Sequence, residues 1–235
     1  MNPVAPDGQG FDGGDAWAAA VAGDVATWLR DAIGADGAAS LLVSGGTSPV
    51  PVFDALSRAD LDWSRVAVGL VDERRVPPGD PGANGRLVRE HLLRGSAAAA
   101  AFQPLARADD DAARAVADAN AWFPARPTVV LLGMGDDGHT ASLFPGMAGL
   151  DAAFAAPGPY VAVDAAGCPG AQAWPRRITL VPAALAHAAH PALLIRGERK
   201  RDLLQRALAD GDARRWPVLA AMHAAATPVA VYWAP

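Results

Sequence analysis

The sequence is short of cysteine, of basic charge and of long apolar runs, and each shortage excludes a class of protein. A single cysteine, Cys168, excludes an internal disulfide and a cysteine-based metal cluster. No apolar run approaches the roughly 20 residues that a membrane-spanning helix needs. The net charge of -5 and the pI near 5.4 argue against a general nucleic-acid or membrane-surface binder, although a local basic patch could still hold a phosphate.

The first residues also lack the features of a targeting segment. Residues 1–14 have neither a basic start nor an apolar core, so no signal peptide is predicted and we expect a cytoplasmic protein. Their glycine-rich end is typical of a disordered tail. The hydrophobic fraction of 51% is enough for a full core, and we predict one domain over residues 15–235.

Strands and helices alternate along the chain. Runs of aliphatic residues predict strands at 41–43, 66–71, 129–132, 160–163, 178–180, 192–195 and 229–233. Helical patterns fall at 15–33, 49–57, 84–93, 109–122 and 198–208. Interleaving of this kind implies right-handed crossovers, so the sequence predicts a Rossmann-like α/β domain with a mainly parallel sheet flanked by helices.

The most informative segment is TVVLLGMGDDGHTASLFPG at residues 128–146, in which a buried-type strand runs into a glycine-rich turn. His139 follows that turn, at the carboxyl end of a strand where open α/β sheets bind ligands. Residues 133–138 also satisfy the G-x-G-x-x-G pattern of dinucleotide sites. Against a dinucleotide site, the pattern lies past mid-chain, and the only candidate for a ribose-binding acid is Asp151, in a loop-like context.

The acidic residues of this turn predict the start of a helix. Asp136 and Asp137 are carboxylates of the kind that the positive end of a helix dipole favours. Asp137 is interpreted either as a helix cap or as the group that orients the imidazole of His139. Ser142 would then share a helix face with His139. A serine-nucleophile interpretation is disfavoured because the chain has no G-x-S-x-G elbow.

A second turn follows the strand at 41–43 and has the composition of an anion-binding loop. Glycine backbone N–H groups and hydroxyls at a helix start form a cradle for phosphate, and the residues that supply them here are Ser44, Gly45, Gly46, Thr47 and Ser48. No Gly-Lys-Ser/Thr follows, so this is not a Walker A loop. A tight turn with a hydroxyl cap remains the alternative.

Charged residues are also predicted at the carboxyl edge of the sheet, beside the two glycine-rich turns. Asp72, Glu73, Arg74 and Arg75 follow the strand at 66–71, either as a solvated, salt-bridged turn or as part of a site. In a site, Arg74 would bind phosphate through its planar fork, and Asp72 would orient a sugar hydroxyl or a histidine. Lys200, just inside the helix after a buried strand, is either a further phosphate ligand or an ordinary solvated lysine.

Together these motifs resemble the 6-phosphogluconolactonase family. The resemblance runs in order over residues 41–200 and rests on SGGTSP, DERRVP followed by AN and LL, GMGDDGHTASLFPG, RITL, and Gly197 with Lys200. It implies the α/β domain shared by glucosamine-6-phosphate deaminases and ribose-5-phosphate isomerases. It also implies hydrolysis of 6-phospho-D-glucono-1,5-lactone to 6-phospho-D-gluconate in the oxidative pentose phosphate pathway, with neither metal nor organic cofactor.

The chemistry of a δ-lactone assigns roles to the candidates. Hydrolysis needs a positioned water and a base that takes its proton, and His139 is the predicted base. Arg74, Lys200 and the loop at 44–48 are predicted to bind the phosphate, and Arg177, which opens RITL, is a further candidate contact. We expect a small sugar-phosphate lactone as the only partner, with no nucleic acid and no membrane, and a monomer or weak homo-oligomer.

Two alternatives remain open. The deaminase branch of this fold continues its histidine motif with Ile-Ala-Phe-Asn and has tyrosine after its Asp-Glu pair, whereas this chain has residues 140–144 as TASLF and Arg74 after Glu73. Both differences favour the lactonase. A non-catalytic sugar-phosphate sensor would carry a basic DNA-binding segment, but residues 1–40 are acidic.

Overall fold

The computed structural model describes residues 9–105 and 111–235. Its helices are α1 (Gly14–Asp36), α2 (Val50–Leu56), α3 (Asn84–His91), α4 (Ala112–Trp122), α5 (Leu150–Phe154), α6 (Glu198–Asp210) and α7 (Pro217–Ala224). Its strands are β1 (Gln9–Gly10), β2 (Ala39–Val43), β3 (Val66–Leu70), β4 (Asp72–Arg74), β5 (Ala101–Phe102), β6 (Val129–Gly133), β7 (Tyr160–Asp164), β8 (Arg176–Leu180), β9 (His190–Arg196) and β10 (Ala230–Ala234).

The main sheet is parallel throughout, in the order β1-β10-β9-β6-β2-β3-β5. Its central strands are apolar on both faces because helices and connections cover them: all of β2 is buried, and so are the first four residues of β6. The predicted mainly parallel α/β architecture is confirmed.

The direction of strand addition reverses between β2 and β6. From β2 the chain adds β3 and then β5 on one side, returns to place β6 on the other side of β2, and continues outward through β9 to β10. Connections that leave the carboxyl ends of β2 and β6 therefore diverge and open a crevice, which is where doubly wound sheets bind ligands.

A small antiparallel sheet, in the order β4-β8-β7, stands beside this edge. Residues 72–74 were interpreted from sequence as a salt-bridged turn or as part of a site after the strand, with no strand predicted there. They form β4, which pairs with Arg177–Thr179 more than a hundred residues later. Because side chains alternate along a strand, Asp72 and Arg74 project to one side of β4 and Glu73 to the other.

The chain termini and the connections differ from the predictions in a few places. Of the tail predicted at 1–14, residues 1–8 lie outside the described part of the chain, whereas Gln9–Gly10 pair with β10 and α1 begins at Gly14. The helix predicted from residue 109 begins at Ala112, after an Asp111 cap that accepts from the N–H of Arg114 at 3.0 Å, and residues 109–110 are not described. Among the described helices, none is long and apolar enough to cross a membrane.

Candidate active site

A cavity of about 600 Å³ opens at the carboxyl edge of β9, β6, β2 and β3. The residues to which a catalytic or substrate-binding role was assigned from sequence all line it: Ser44, Gly45, Gly46, Thr47, Ser48, Asp72, Arg74, Asp137, His139, Arg177 and Lys200. Glu73 and Arg75, which belong to the same charged segment, do not line the cavity. The volume lies in the range of small-molecule sites. Distant segments therefore converge on one concave surface, as the shared edge of a parallel sheet requires.

His139 and Asp137 form a hydrogen-bonded pair in the loop after β6. One carboxylate oxygen, Oδ1 of Asp137, lies 2.5 Å from Nδ1 of His139 and also accepts from the His139 backbone N–H at 3.1 Å. The imidazole packs against the ring of Phe144, with 4.3 Å between ring centroids. The side chain of His139 is 23% exposed, so it is accessible and yet firmly held.

The ionisation state of Asp137 determines which nitrogen of His139 is basic. Burial by itself would raise the pKa of Asp137, but the hydrogen bond and the charge of His139 outweigh it and hold that pKa below its ordinary value. An ionised carboxylate can only accept, so Nδ1 of His139 carries the hydrogen. In the neutral ring Nε2 is then the unprotonated nitrogen, which is the arrangement that a general base needs.

The helix predicted after residue 136 is wrong. Gly138 has φ +83° and Ala141 has φ +51°, and backbone in this left-handed region does not continue a right-handed helix. The loop is closed instead by a hydrogen bond from the N–H of Gly135 to the carbonyl of His139 at 2.8 Å. Asp137 therefore caps no helix, and the G-x-G-x-x-G pattern lacks the helix that a dinucleotide pyrophosphate requires.

Ser142 does not share a helix face with His139, because that helix is absent; it belongs to a buried network instead. Its side chain is fully buried, and its hydroxyl donates to Oδ2 of Asp72 at 2.6 Å. Nη1 of Arg177 donates to the same hydroxyl at 3.3 Å and lies 3.6 Å from Oδ2 of Asp72. Ser142 thus ties the histidine loop to β4 and β8 and has no exposed hydroxyl for a nucleophile.

Arg177 lines the cavity but is mostly engaged with the protein. Its Nη2 donates to the carbonyl of Ala171 at 3.1 Å, and its Nε donates to the carbonyl of Trp174. Burial lowers its pKa, and the neighbouring Asp72 opposes that shift. These bonds hold the 168–174 segment beside the site, so Arg177 contributes to the wall of the cavity as well as to its charge.

Two polar atoms at the cavity are buried without a hydrogen-bond partner among the described residues, Oγ of Ser44 and Nε of Arg74. Ser44 begins the loop after β2, and its N–H donates to the carbonyl of Leu131 at 3.0 Å. Gly46 has φ +91°, which favours glycine at that turn. Buried donors without partners carry a desolvation cost, which an anion that accepts from both would offset.

Lys200 lies in the first turn of α6 and reaches the same cavity. Its Nζ is 3.9 Å from Oδ1 of Asp136, a loose ion pair because Asp136 is 61% exposed. The ammonium is therefore not locked into the protein and remains available to a ligand.

Several residues that line the cavity were not predicted as site residues from sequence and become apparent only in the fold. They are Asn84, Pro169, Gly170, Gln172 and Arg199. Asn84 belongs to the AN pair on which the family resemblance rests, but no role was predicted for its side chain, because its partners lie on another element. Glu73 was seen only as part of an acidic pair; burial raises its pKa to about 7, while hydrogen bonds from backbone N–H groups oppose that rise.

Comparison with known proteins gives consistent matches over nearly the whole chain. Residues 12–233 match the family model described as "Glucosamine-6-phosphate isomerases/6-phosphogluconolactonase". The 6-phosphogluconolactonase of Xylella fastidiosa (strain Temecula1) is 45% identical over 92% of this chain and 91% of its own, and that of Rhizobium meliloti is 44% identical over 96% and 97%. The crystal structure of a 6-phosphogluconolactonase from Shewanella baltica superimposes with a TM-score of 0.89 at 36% identity, covering 96% of each chain.

Proposed function

Because the chain belongs to the glucosamine-6-phosphate isomerase and 6-phosphogluconolactonase family, we propose that it hydrolyses 6-phospho-D-glucono-1,5-lactone to 6-phospho-D-gluconate. The observation that carries this proposal is the His139–Asp137 pair, which leaves Nε2 of a cavity-lining imidazole free to accept a proton. Buried groups suited to an anion line the same cavity, so one substrate can meet both.

The reaction follows from this arrangement. Nε2 of His139 takes a proton from a water whose oxygen attacks the lactone carbonyl carbon, and the carbonyl oxygen becomes an oxyanion. Asp137 stabilises the imidazolium that forms. The bond between that carbon and the ring oxygen then breaks, the ring oxygen takes the proton back from His139, and the new carboxylic acid ionises. No covalent intermediate with the protein is needed.

The phosphate is assigned to Arg74, Ser44 and Lys200, which line the same cavity as His139. Nε of Arg74 and Oγ of Ser44 are buried donors without partners, and Lys200 adds a positive charge. A guanidinium binds phosphate through two parallel hydrogen bonds, whereas an ammonium acts as a point charge. Binding energy from the phosphate then holds the lactone carbonyl next to His139.

A hydrolysis assay on freshly generated 6-phosphogluconolactone, corrected for spontaneous ring opening, tests the proposal. We expect the wild type to accelerate hydrolysis well above background. A wild type that leaves the lactone untouched but releases ammonia from glucosamine 6-phosphate would place the activity in the deaminase branch.

Replacement of Arg74 by alanine is expected to raise KM about 10- to 100-fold with a smaller change in kcat, because charged hydrogen bonds to the phosphate are lost. Steady-state kinetics measure both constants. Arg86→Ala is the matched control, since Arg86 is a partly exposed arginine on α3 that does not line the cavity and pairs with Glu90 at 2.7 Å. An unchanged KM in Arg74→Ala would remove this residue from the phosphate site.

Replacement of Asp137 by asparagine separates the charge of the pair from its geometry. A single oxygen of Asp137 accepts both hydrogen bonds from His139, so an asparagine oxygen can occupy the same place and keep Nδ1 protonated. We expect kcat to fall about 10- to 100-fold from loss of the negative charge, and further in Asp137→Ala, which also loses the orientation. Equal kcat values for Asp137→Ala and the wild type would contradict the assignment.

A further inference from the structure

Asn84 is bonded to both cavity-facing side chains of β4 although it lies on another element. It is the first residue of α3, and only 2% of its surface is exposed. Its Nδ2 donates to the backbone carbonyl of Asp72 at 2.8 Å and lies 3.4 Å from the Asp72 carboxylate, while its Oδ1 accepts from Nη1 of Arg74 at 2.5 Å. One amide therefore spans Asp72 and Arg74.

The backbone of Asn84 is fixed independently of its side chain. Oε1 of Glu73 accepts from the N–H of Asn84 and from the N–H of Arg74, both at 2.7 Å, and Oε2 accepts from the N–H of Gly85 at 2.6 Å. These bonds attach the start of α3 to β4. A change of the Asn84 side chain alone leaves them in place, so its effect can be separated from that of a misplaced helix.

The amide determines which edge of the Arg74 guanidinium is available. Nη1 donates to Oδ1 of Asn84 and to the carbonyl of Gly82 at 2.8 Å, and the guanidinium lies over the Trp174 ring at 5.4 Å. Nε has no partner among the described residues. Because a guanidinium is planar and rigid, engaging Nη1 from one side fixes the orientation of the group and leaves its Nε edge unbonded.

Asn84 also touches the loop after β2. A Cβ built on Gly45 would overlap the Asn84 amide, so the glycine lets that loop pack directly on it. The amide is thus enclosed by Asp72, Arg74 and Gly45, three residues that line the cavity. The Asn84 side chain is therefore held in one conformation, which fixes the position of the groups bonded to it.

We propose that Asn84 is a positioning residue whose amide holds the Arg74 guanidinium with its Nε edge toward the substrate phosphate. This inference rests on the proposed function, which assigns Arg74 to that phosphate. Asn84 acts through Arg74 and makes no contact with the reacting atoms.

A double-mutant cycle tests the inference. KM for the lactone is measured in the wild type, Asn84→Ala, Arg74→Ala and the double variant, and dissociation constants for 6-phosphogluconate are measured by calorimetry in the same four proteins. We expect Asn84→Ala to raise both constants about tenfold in the wild-type background and less than about twofold in the Arg74→Ala background. Glu90→Ala, an exposed change on the same helix, is the control and leaves both constants unchanged.

Multiplicative effects of the two substitutions, or an Asn84→Ala variant that binds like the wild type, would overturn the proposal. If Asn84→Ala does not fold, Asn84→Ser passes through the same cycle, since serine keeps a polar side chain at this position but lacks the amide. A wild type without lactonase activity would refute the proposed function instead, and the calorimetric cycle would still report on the link between Asn84 and Arg74.

Discussion

Replacing His139 by alanine is expected to bring lactone hydrolysis close to the spontaneous rate. A positioned general base contributes about 10²- to 10⁴-fold to the rate, and His139→Ala removes the proposed base. The side chain is bonded to Asp137 and packs on Phe144 but does not belong to the main core, so we expect the variant to fold. The measurement is kcat/KM with subtraction of uncatalysed ring opening.

His223 provides the matched control for this experiment. It is an exposed histidine on α7, away from the cavity-lining residues, and His223→Ala should keep wild-type activity. Binding of 6-phosphogluconate should persist in His139→Ala, because the groups assigned to the phosphate are untouched. Full activity in folded His139→Ala would mean that another group takes the proton from water.

Gly135→Ala is expected to be nearly as damaging, although it adds a single methyl group. The new Cβ would overlap the imidazole of His139 and lie 2.9 Å from Oδ1 of Asp137. The backbone cannot easily retreat, since the N–H of Gly135 is bonded to the carbonyl of His139. The ring must therefore turn away, and a displacement of about 1 Å at a catalytic group can cost about 100-fold in rate.

The effect should appear in kcat, with the affinity for 6-phosphogluconate little changed. Gly23→Ala is the control, because Gly23 lies within α1 with no neighbouring atom within 4 Å of the added Cβ, and alanine there should slightly raise the melting temperature. If Gly135→Ala folds and retains wild-type kcat, the imidazole does not work from the position that the Asp137 bond gives it.

The core strands of the fold could be predicted from sequence because their signal is local. Strands β2, β3 and β6 are short, largely aliphatic runs between turns, which is the pattern of strands buried on both faces of a parallel sheet. Strand β4 was missed because Asp-Glu-Arg has no apolar alternation and its pairing partner, β8, is remote in sequence. Helix α7 was missed because five of its eight residues are buried, which removes the amphipathic pattern.

The candidate site, too, could be predicted only where its signal is local in sequence. Residues at strand ends were predicted, since parallel strands deliver their carboxyl ends to one edge. The shape of the histidine loop was not, because it depends on Ala141 in a left-handed conformation that sequence gives no reason to expect. The roles of Ser142 and Asn84 likewise depend on hydrogen bonds to Asp72 on β4. Because β4 itself was not predicted, these contacts could not be predicted either.

Trp216 and α7 contact the histidine loop from outside the cavity, so residues that never meet the substrate also determine the position of His139. The ring of Trp216 lies so close to Gly138 that a Cβ there would be 2.6 Å from it, and the N–H of Val218 donates to the carbonyl of Gly138 at 3.1 Å. Neither Trp216 nor Val218 lines the cavity. A natural variant altered only at Trp216 or in α7 is therefore expected to lose turnover with every cavity-lining residue intact, and a survey confined to the cavity would overlook the cause.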